Sequence, residues 1–407
     1  MQTGRSSLRA HSQKARSALA VALAWIAASI ATSTAQTPHY TALYNFTGGA
    51  DGALPYQGVI RDLAGNLYGT TRDGGVIDVG SCGYGCGVVY EIDTAGHESV
   101  LHAFTGYPAD GQVPYGVMRD LAGNFYGTTQ YGGAYGYGVV FKLDSAGAYT
   151  VLHSFTGRSD GGGPTAGVVE DLAGNLYGTT PQGGLMSSCE FYGCGVVFKF
   201  DPSGHETVLY AFTGGADGSG PQAGVIRDSA GNLYGTTVGG GAAGKGVVFK
   251  LDTAGNQTVL YGFTGGTDGS APQSGLIRDA AGSLYGTTNL GGAGKKGVVY
   301  KLDATGAQTV LHSFTGPDGA SPYAGVIRDP AGNLYGVTYN GGVCGAGAGC
   351  GVVYKLDPAG NETVLHQGSS KGAKPYGGLI FGPAGTLYGT MYTGGTADEG
   401  VVFQLTP

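Results

Sequence analysis

Six carboxylates recur in the pattern Asp-Gly-x-x-Pro, at Asp51, Asp110, Asp160, Asp217, Asp268 and Asp318, and a seventh copy reads "KGAKP", with Lys371 in the acid's place. Arranged in a ring, six carboxylates would attract cations. The simpler reading is a turn, because Asp-Gly is a turn former whose side chain bonds nearby backbone N–H groups. A calcium loop alternates several oxygen ligands within about a dozen residues, and no such run occurs. Neither a metal nor a cofactor is expected.

Each Pro of this pattern is followed by Tyr56, Tyr115, Thr165, Gln222, Gln273, Tyr323 or Tyr376. A second set stands after a recurring Gly-Thr-Thr: Arg72, Asp73, Gln130, Tyr131, Gln182, Asn289, Tyr339, Asn340 and Tyr392. Tyrosine faces stack on sugar C–H surfaces, and amides bond hydroxyls, so the combined set suits a carbohydrate. The competing explanation is abundance, since the chain holds 27 Tyr.

A catalytic role needs a nucleophile with a base, paired carboxylates or a metal cluster. His102, His153, His312 and His366 share one repeated slot in β-prone runs, and His97 and His205 fall in turns. The non-repeated carboxylates on the face that carries the long loops are Asp73, Asp78, Glu190, Asp398 and Glu399. A glycosidase pair among them depends on separations that sequence does not give. Tyrosine with Arg72, Lys371 or Lys374 would support β-elimination only with suitable geometry. G-x-S-x-G, H-E-x-x-H and Walker patterns are absent.

The six cysteines form three close pairs, Cys82/Cys86, Cys189/Cys194 and Cys344/Cys350. Disulfides between nearest neighbours are expected, because an exported chain with an even cysteine count favours them.

These residues are set in a repeat. "GNLYGTT" at Gly65 recurs six more times with small changes, and its Tyr falls at 68, 126, 177, 234, 285, 335 and 388. The full unit is clearest in "PYAGVIRDPAGNLYGVT…GVVYKLDPAGNETVLH", from Pro322 to His366. It contains four short β-prone runs joined by tight turns, and four antiparallel strands in about fifty residues match a β-propeller blade. Helix is expected to be almost absent. The last unit stops at Pro407 without its fourth strand, while "HYTALYNFTGG" (His39 to Gly49) is a spare one. The fold class is therefore all-β: a seven-bladed β-propeller of four-stranded antiparallel blades, closed by the N-terminal strand pairing in the last blade. Paired valines such as Val88-Val89 fit sheets buried on both faces, and Gly69 is expected to allow close approach of neighbouring sheets.

In each blade, strands A to D in order, the A–B and C–D turns are near-identical and share one face. The B–C and D–A loops share the other. The B–C loops of blades 1, 3 and 6 are long and hold all six cysteines. Insertions gathered on one face mark a binding face in repeat proteins.

The unit "GNLYGTT…GVVFKLD…TVLHSFTG" closely resembles the GloVer tandem repeat of exported bacterial proteins, over Tyr40 to Leu405. The resemblance implies an extracytoplasmic location and carries no catalytic residues with it. Residues 1–35 read as a signal peptide: Arg5, Arg9, Lys14 and Arg16 precede the apolar run Ala18 to Ala31, which is too short to span a bilayer. Residues 36–407 form a single propeller domain. Removing those four cations takes the net charge from −7 to about −11, which disfavours nucleic acid. The expected protein is a secreted or periplasmic monomer without a membrane anchor. Its ligand would be an extracellular polysaccharide or envelope component, bound through the long-loop face. The alternatives are a polysaccharide-degrading lyase or glycoside hydrolase with its site at the central pore, and a protein-interaction scaffold.

Overall fold

The computed structural model describes residues 37–77, 82–186, 189, 192–344 and 349–407. Residues 39–406 form a seven-bladed β-propeller. Every blade is one four-stranded antiparallel sheet; blade 4, for example, runs Ile226–Arg227, Leu233–Thr237, Val247–Leu251 and Gln257–Gly262. Among the described residues the helical content is one 3-10 turn, Pro383–Gly385.

The ring closes inside blade 7. His39–Asn45 pairs antiparallel with Val401–Thr406, from His39 opposite Thr406 to Asn45 opposite Val401. The remaining two strands of that sheet are Leu387–Met391 and Ile380–Phe381. The edge left open by the missing last strand is thus covered by the chain's own beginning.

The paired valines make the core. Val88 and Val89 are fully buried, as are their equivalents through Val401 and Val402. Both faces of each blade pack on a neighbour, so an alternating pattern would leave polar groups inside. One packing detail departs from the expectation. A Cβ at Gly69 would strike the ring of Tyr90, and Tyr90 is directly opposite Gly69 on the paired strand. The glycine makes room within its own sheet, because the bulky ring folds back over the strand beside it. At Gly127 and Gly389, too, a Cβ would meet a ring of the paired strand, Phe141 and Phe403.

The Gly-Thr-Thr segment has two separable roles. The second threonine ties down the loop that follows: Thr237 Oγ1 donates to Gly239 O at 2.9 Å and accepts from Val247 N–H at 3.2 Å. The first reaches the next blade. Thr179 donates to Ala223 O at 2.8 Å, Thr236 to Ser274 O at 3.1 Å, Thr287 to Ala324 O at 2.9 Å and Thr390 to Gln57 O at 2.9 Å. Each accepting residue directly follows one of the seven residues after the recurring proline. A buried hydroxyl must find a partner, and here the partner fixes the backbone that carries the pore-mouth side chains. Blade 1 is an exception. Thr70 Oγ1 is buried without a hydrogen-bond partner, beside the long innermost strand Gly111–Arg119 of blade 2.

Short bridges between D–A and B–C loops confirm that these share a face: Ala53 with Asp73, Gly162 with Gln182, Ser219 with Gly239, Ser270 with Leu290, Ala320 with Asn340 and Ala373 with Thr393. Disulfides Cys82–Cys86, Cys189–Cys194 and Cys344–Cys350 close the three long loops, with Cα separations of 5.3, 5.2 and 6.1 Å.

Candidate functional site

The six Asp-Gly carboxylates stand at the outer strands, not around the pore. Asp217 Oδ2 accepts from Tyr210 Oη–H at 2.9 Å and from Thr213 N–H at 2.8 Å. Asp51 does the same with Tyr44 and Thr47, and Asp268 with Tyr261 and Thr264. At Asp110, Asp160 and Asp318 the outer-strand partner is His102, His153 or His312, at 3.2, 3.3 and 3.0 Å. Each carboxylate joins its loop to the outer strand that precedes it in the chain. Lys371, which lacks that capacity, instead has its carbonyl oxygen near Tyr40 Oη, at 3.4 Å.

The pore mouth is built by the residues after the prolines. Tyr56, Tyr115, Thr165, Gln222, Gln273, Tyr323 and Tyr376, one from each blade, line a single cavity of about 420 Å³ together with Gln130. The seven are not evenly mixed.

Blades 6, 7, 1 and 2 supply a continuous aromatic crescent. Tyr323 stacks on Tyr376 at 4.6 Å and 16°, Tyr376 lies 3.8 Å from Tyr56, and Tyr56 meets Tyr115 edge-on at 5.4 Å. Two tyrosines from B–C loops extend it outward. Tyr339 packs edge-on against Tyr323 at 5.5 Å and Tyr376 at 5.8 Å, and Tyr392 against Tyr56 at 5.6 Å. Arg72 Nη1 donates to Tyr392 Oη at 3.0 Å, and Lys374 Nζ lies 5.5 Å from the Tyr339 ring centroid.

Blades 3 to 5 supply an amide crescent on the opposite side. Gln273 Nε2 donates to Gln222 Oε1 at 2.9 Å, Asn289 Nδ2 donates to Gln273 Oε1 at 3.0 Å, and Thr165 Oγ1 donates to Gln222 O at 2.9 Å. The chain sets the orientation of these amides before any ligand arrives. Asn289 Oδ1 is buried with no hydrogen-bond partner, an acceptor left over at the end of the chain.

Burial pushes the hydroxyl pKa of Tyr56, Tyr115, Tyr339 and Tyr376 upward. At neutral pH these four are protonated donors and acceptors, and none is poised as a tyrosinate base. Asp73 is raised by burial, partly offset by Arg72, whose Nε lies 3.8 Å away. Glu399 is raised by burial and by Asp398, Asp73 and Asp51.

Several residues singled out in the sequence stand apart from the cavity. Tyr131 is solvent-exposed at 46%. Gln182 is held against Gly162 by its backbone. Asn340 lines a separate hollow beside Cys344 and Lys296. Asp78 and Glu190 lie outside the described residues. The histidines of the repeated slot are on outer strands, away from the cavity. The crescent itself was missed. Its signal was available, because tyrosine follows proline in blades 6, 7, 1 and 2, which are consecutive only once the ring is closed.

The molecule is thus a seven-bladed β-propeller whose pore mouth sets an aromatic half against an amide half. The chain belongs to the Gloeobacter/Verrucomicrobia repeat family, whose sequence profile matches residues 79–282, 182–367 and 266–407. No curated protein matches it in sequence. Among solved structures it is similar to a gluconolactonase from Xanthomonas campestris, at 14% identity and a TM-score of 0.44, covering 90% of this chain and 89% of that one. It is also similar to a luciferin-regenerating enzyme, at 12% identity and a TM-score of 0.45, covering 91% and 95%. No residue role passes from either protein to this chain.

Proposed function

We propose that this protein is an exported, monomeric binding protein that takes part of an extracellular or cell-envelope polysaccharide at the pore mouth. The observation that supports this reading most is the opposition, across one cavity, of the tyrosine crescent and the amides of Gln222 and Gln273, the latter held by the buried Asn289. An apolar sugar face would lie on the tyrosines while its hydroxyls meet the amides opposite. The cavity volume of about 420 Å³ falls in the range of about 300–1,000 Å³ usual for small-ligand sites. Three disulfides fit an oxidising compartment, and no helix among the described residues is long and apolar enough to cross a membrane.

A glycan array of neutral and acidic saccharides, followed by calorimetry on any hit, tests the reading. Binding at micromolar strength or weaker is expected, about −8 kcal/mol or less favourable. It should be lost in Tyr323→Ala and weakened in Gln222→Ala. Turnover of a bound saccharide would place the protein among enzymes. Silence across the array would leave a protein partner as the better reading.

A further inference from the structure

The boundaries between adjacent blades use a small vocabulary on the outer strands. A His or Tyr near the end of one blade's last strand is set beside a residue at the start of the next blade's last strand. At the 3/4 and 4/5 boundaries the sets are Tyr210, Asp217, Gln257 and Tyr261, Asp268, Gln308, and each glutamine Nε2 donates to the aspartate's carbonyl oxygen, at 3.1 and 3.2 Å. At 1/2 and 6/7 the histidine stacks flat on a tyrosine: His102 on Tyr149 at 3.9 Å and His366 on Tyr40 at 4.0 Å. In the two stacked pairs Tyr149 Oη and His366 Nε2 are buried without a hydrogen-bond partner, and among the described residues no second carboxylate approaches either histidine within salt-bridge distance.

The 2/3 boundary is different. His153 Nε2 lies 3.3 Å from Asp160 Oδ2 and 3.5 Å from Glu206 Oε2. Among the described residues this is the one group of three whose ligand atoms all fall within 4.8 Å of one another. One imidazole nitrogen cannot give a proton to two carboxylates at once. Burial lowers the histidine's pKa, the aspartate's contacts opposing it, which favours the neutral ring. Glu206 Oε1 is buried without a hydrogen-bond partner, as are Glu98 Oε1 and Glu362 Oε1 at the equivalent positions, so the convergence of three ligand atoms is what sets this boundary apart. Two carboxyl groups therefore converge on one neutral imidazole, through Asp160 Oδ2 and Glu206 Oε2. His312, Asp318 and Glu362 repeat the residue types at the 5/6 boundary, where His312 reaches Asp318 at 3.0 Å, but their ligand atoms do not converge in the same way.

We propose that His153, Asp160 and Glu206 bind a zinc-sized divalent cation that clips blade 2 to blade 3. Around a tetrahedral zinc, ligand atoms at about 2.0–2.2 Å from the metal lie about 3.3–3.5 Å from each other, the separations seen here between the imidazole nitrogen and each carboxylate oxygen. A neutral imidazole with two carboxylates is a donor set suited to first-row divalent ions. Side-chain exposures of 22%, 15% and 13% for His153, Asp160 and Glu206 leave an approach for the ion and room for water as a further ligand. The ion would be ligated by His153 Nε2, Asp160 Oδ2 and Glu206 Oε2 and would hold the Glu206 carboxyl ionised.

The test uses tag-free mature protein stripped with chelator and titrated with zinc chloride by calorimetry, with melting followed in parallel. One equivalent is expected to bind and to raise the melting temperature. Binding should be tighter at pH 8 than at pH 6, because protons compete for the ligands. His153→Tyr with Glu206→Gln should abolish that isotherm, and it should fold, since it recreates the Tyr210/Gln257 pairing native to the 3/4 boundary. As a check that needs no variant, NMR should show the His153 imidazole signals shifting over that one equivalent while those of His312 stay still. The proposal is overturned if the wild-type protein takes up no zinc, if the double variant retains the isotherm, or if the His153 signals do not respond.

Discussion

Tyr376 of blade 7 lies against Tyr56 of blade 1 with ring centroids 3.8 Å apart and planes 33° from parallel. The contact joins opposite ends of the chain at the pore mouth. It gives the aromatic crescent its continuity and makes the candidate site part of the ring's cohesion. Tyr376→Ala is accordingly expected to lower stability by about 2–3 kcal/mol, through lost ring contacts and an incompletely filled space. Tyr376→Phe should keep the stability and weaken saccharide binding. Denaturant unfolding of both variants separates the two effects. Equal stability of Tyr376→Ala and wild type would mean that the ring contacts contribute nothing.

Ring closure by the first strand predicts the effect of its loss. Deleting residues 39–49 should expose the edge of Val401–Thr406, broaden the melting transition and promote aggregation. Light scattering and calorimetry on the truncated protein measure this. A soluble truncation melting like the full chain would show that the pairing at His39–Asn45 is dispensable.

The disulfides close loops with sequence separations of 4, 5 and 6 residues. Each should contribute about 2 kcal/mol through loop-closure entropy. They staple surface loops and do not join blades, so full reduction should lower the melting temperature while leaving the β-sheet circular dichroism of the folded state unchanged. Thiol titration before reduction should find no free cysteine.

Glu98 and Glu362 define a pH response. Burial, and then the nearby Asp51 or Asp318, raises each carboxyl to about 7. In the unfolded chain glutamate titrates near about 4.3, so between these values the folded state holds more protons than the unfolded one. The stabilising contribution is complete below the unfolded pKa and is lost as pH rises through 7. Melting in chelator across pH 4.5–8 should therefore fall less steeply with pH in Glu98→Gln/Glu362→Gln than in wild type. Glutamine occupies the same position natively at Gln257 and Gln308. Parallel curves would refute the assignment.

The repeat made the architecture readable. Seven copies of one unit, a missing last strand and a spare first strand leave one arrangement without exposed edges, and strand periodicity is a local property that each copy states again. The seven residues after the proline were likewise legible as one structural position. What the repeat did not disclose was adjacency across it. Tyr323, Tyr376, Tyr56 and Tyr115 look scattered along the chain, yet they are consecutive around the closed ring. His153 and Glu206 read as unrelated members of two copies until the sheets pack side by side. Sequence by itself determined the strands, the turns, the blade count, the nearest-neighbour cysteine pairs and the residue type at each repeated slot. The tertiary structure decided which slots face each other, because contacts between blades depend on ring closure and on side-chain direction, and neither is encoded within a single repeat.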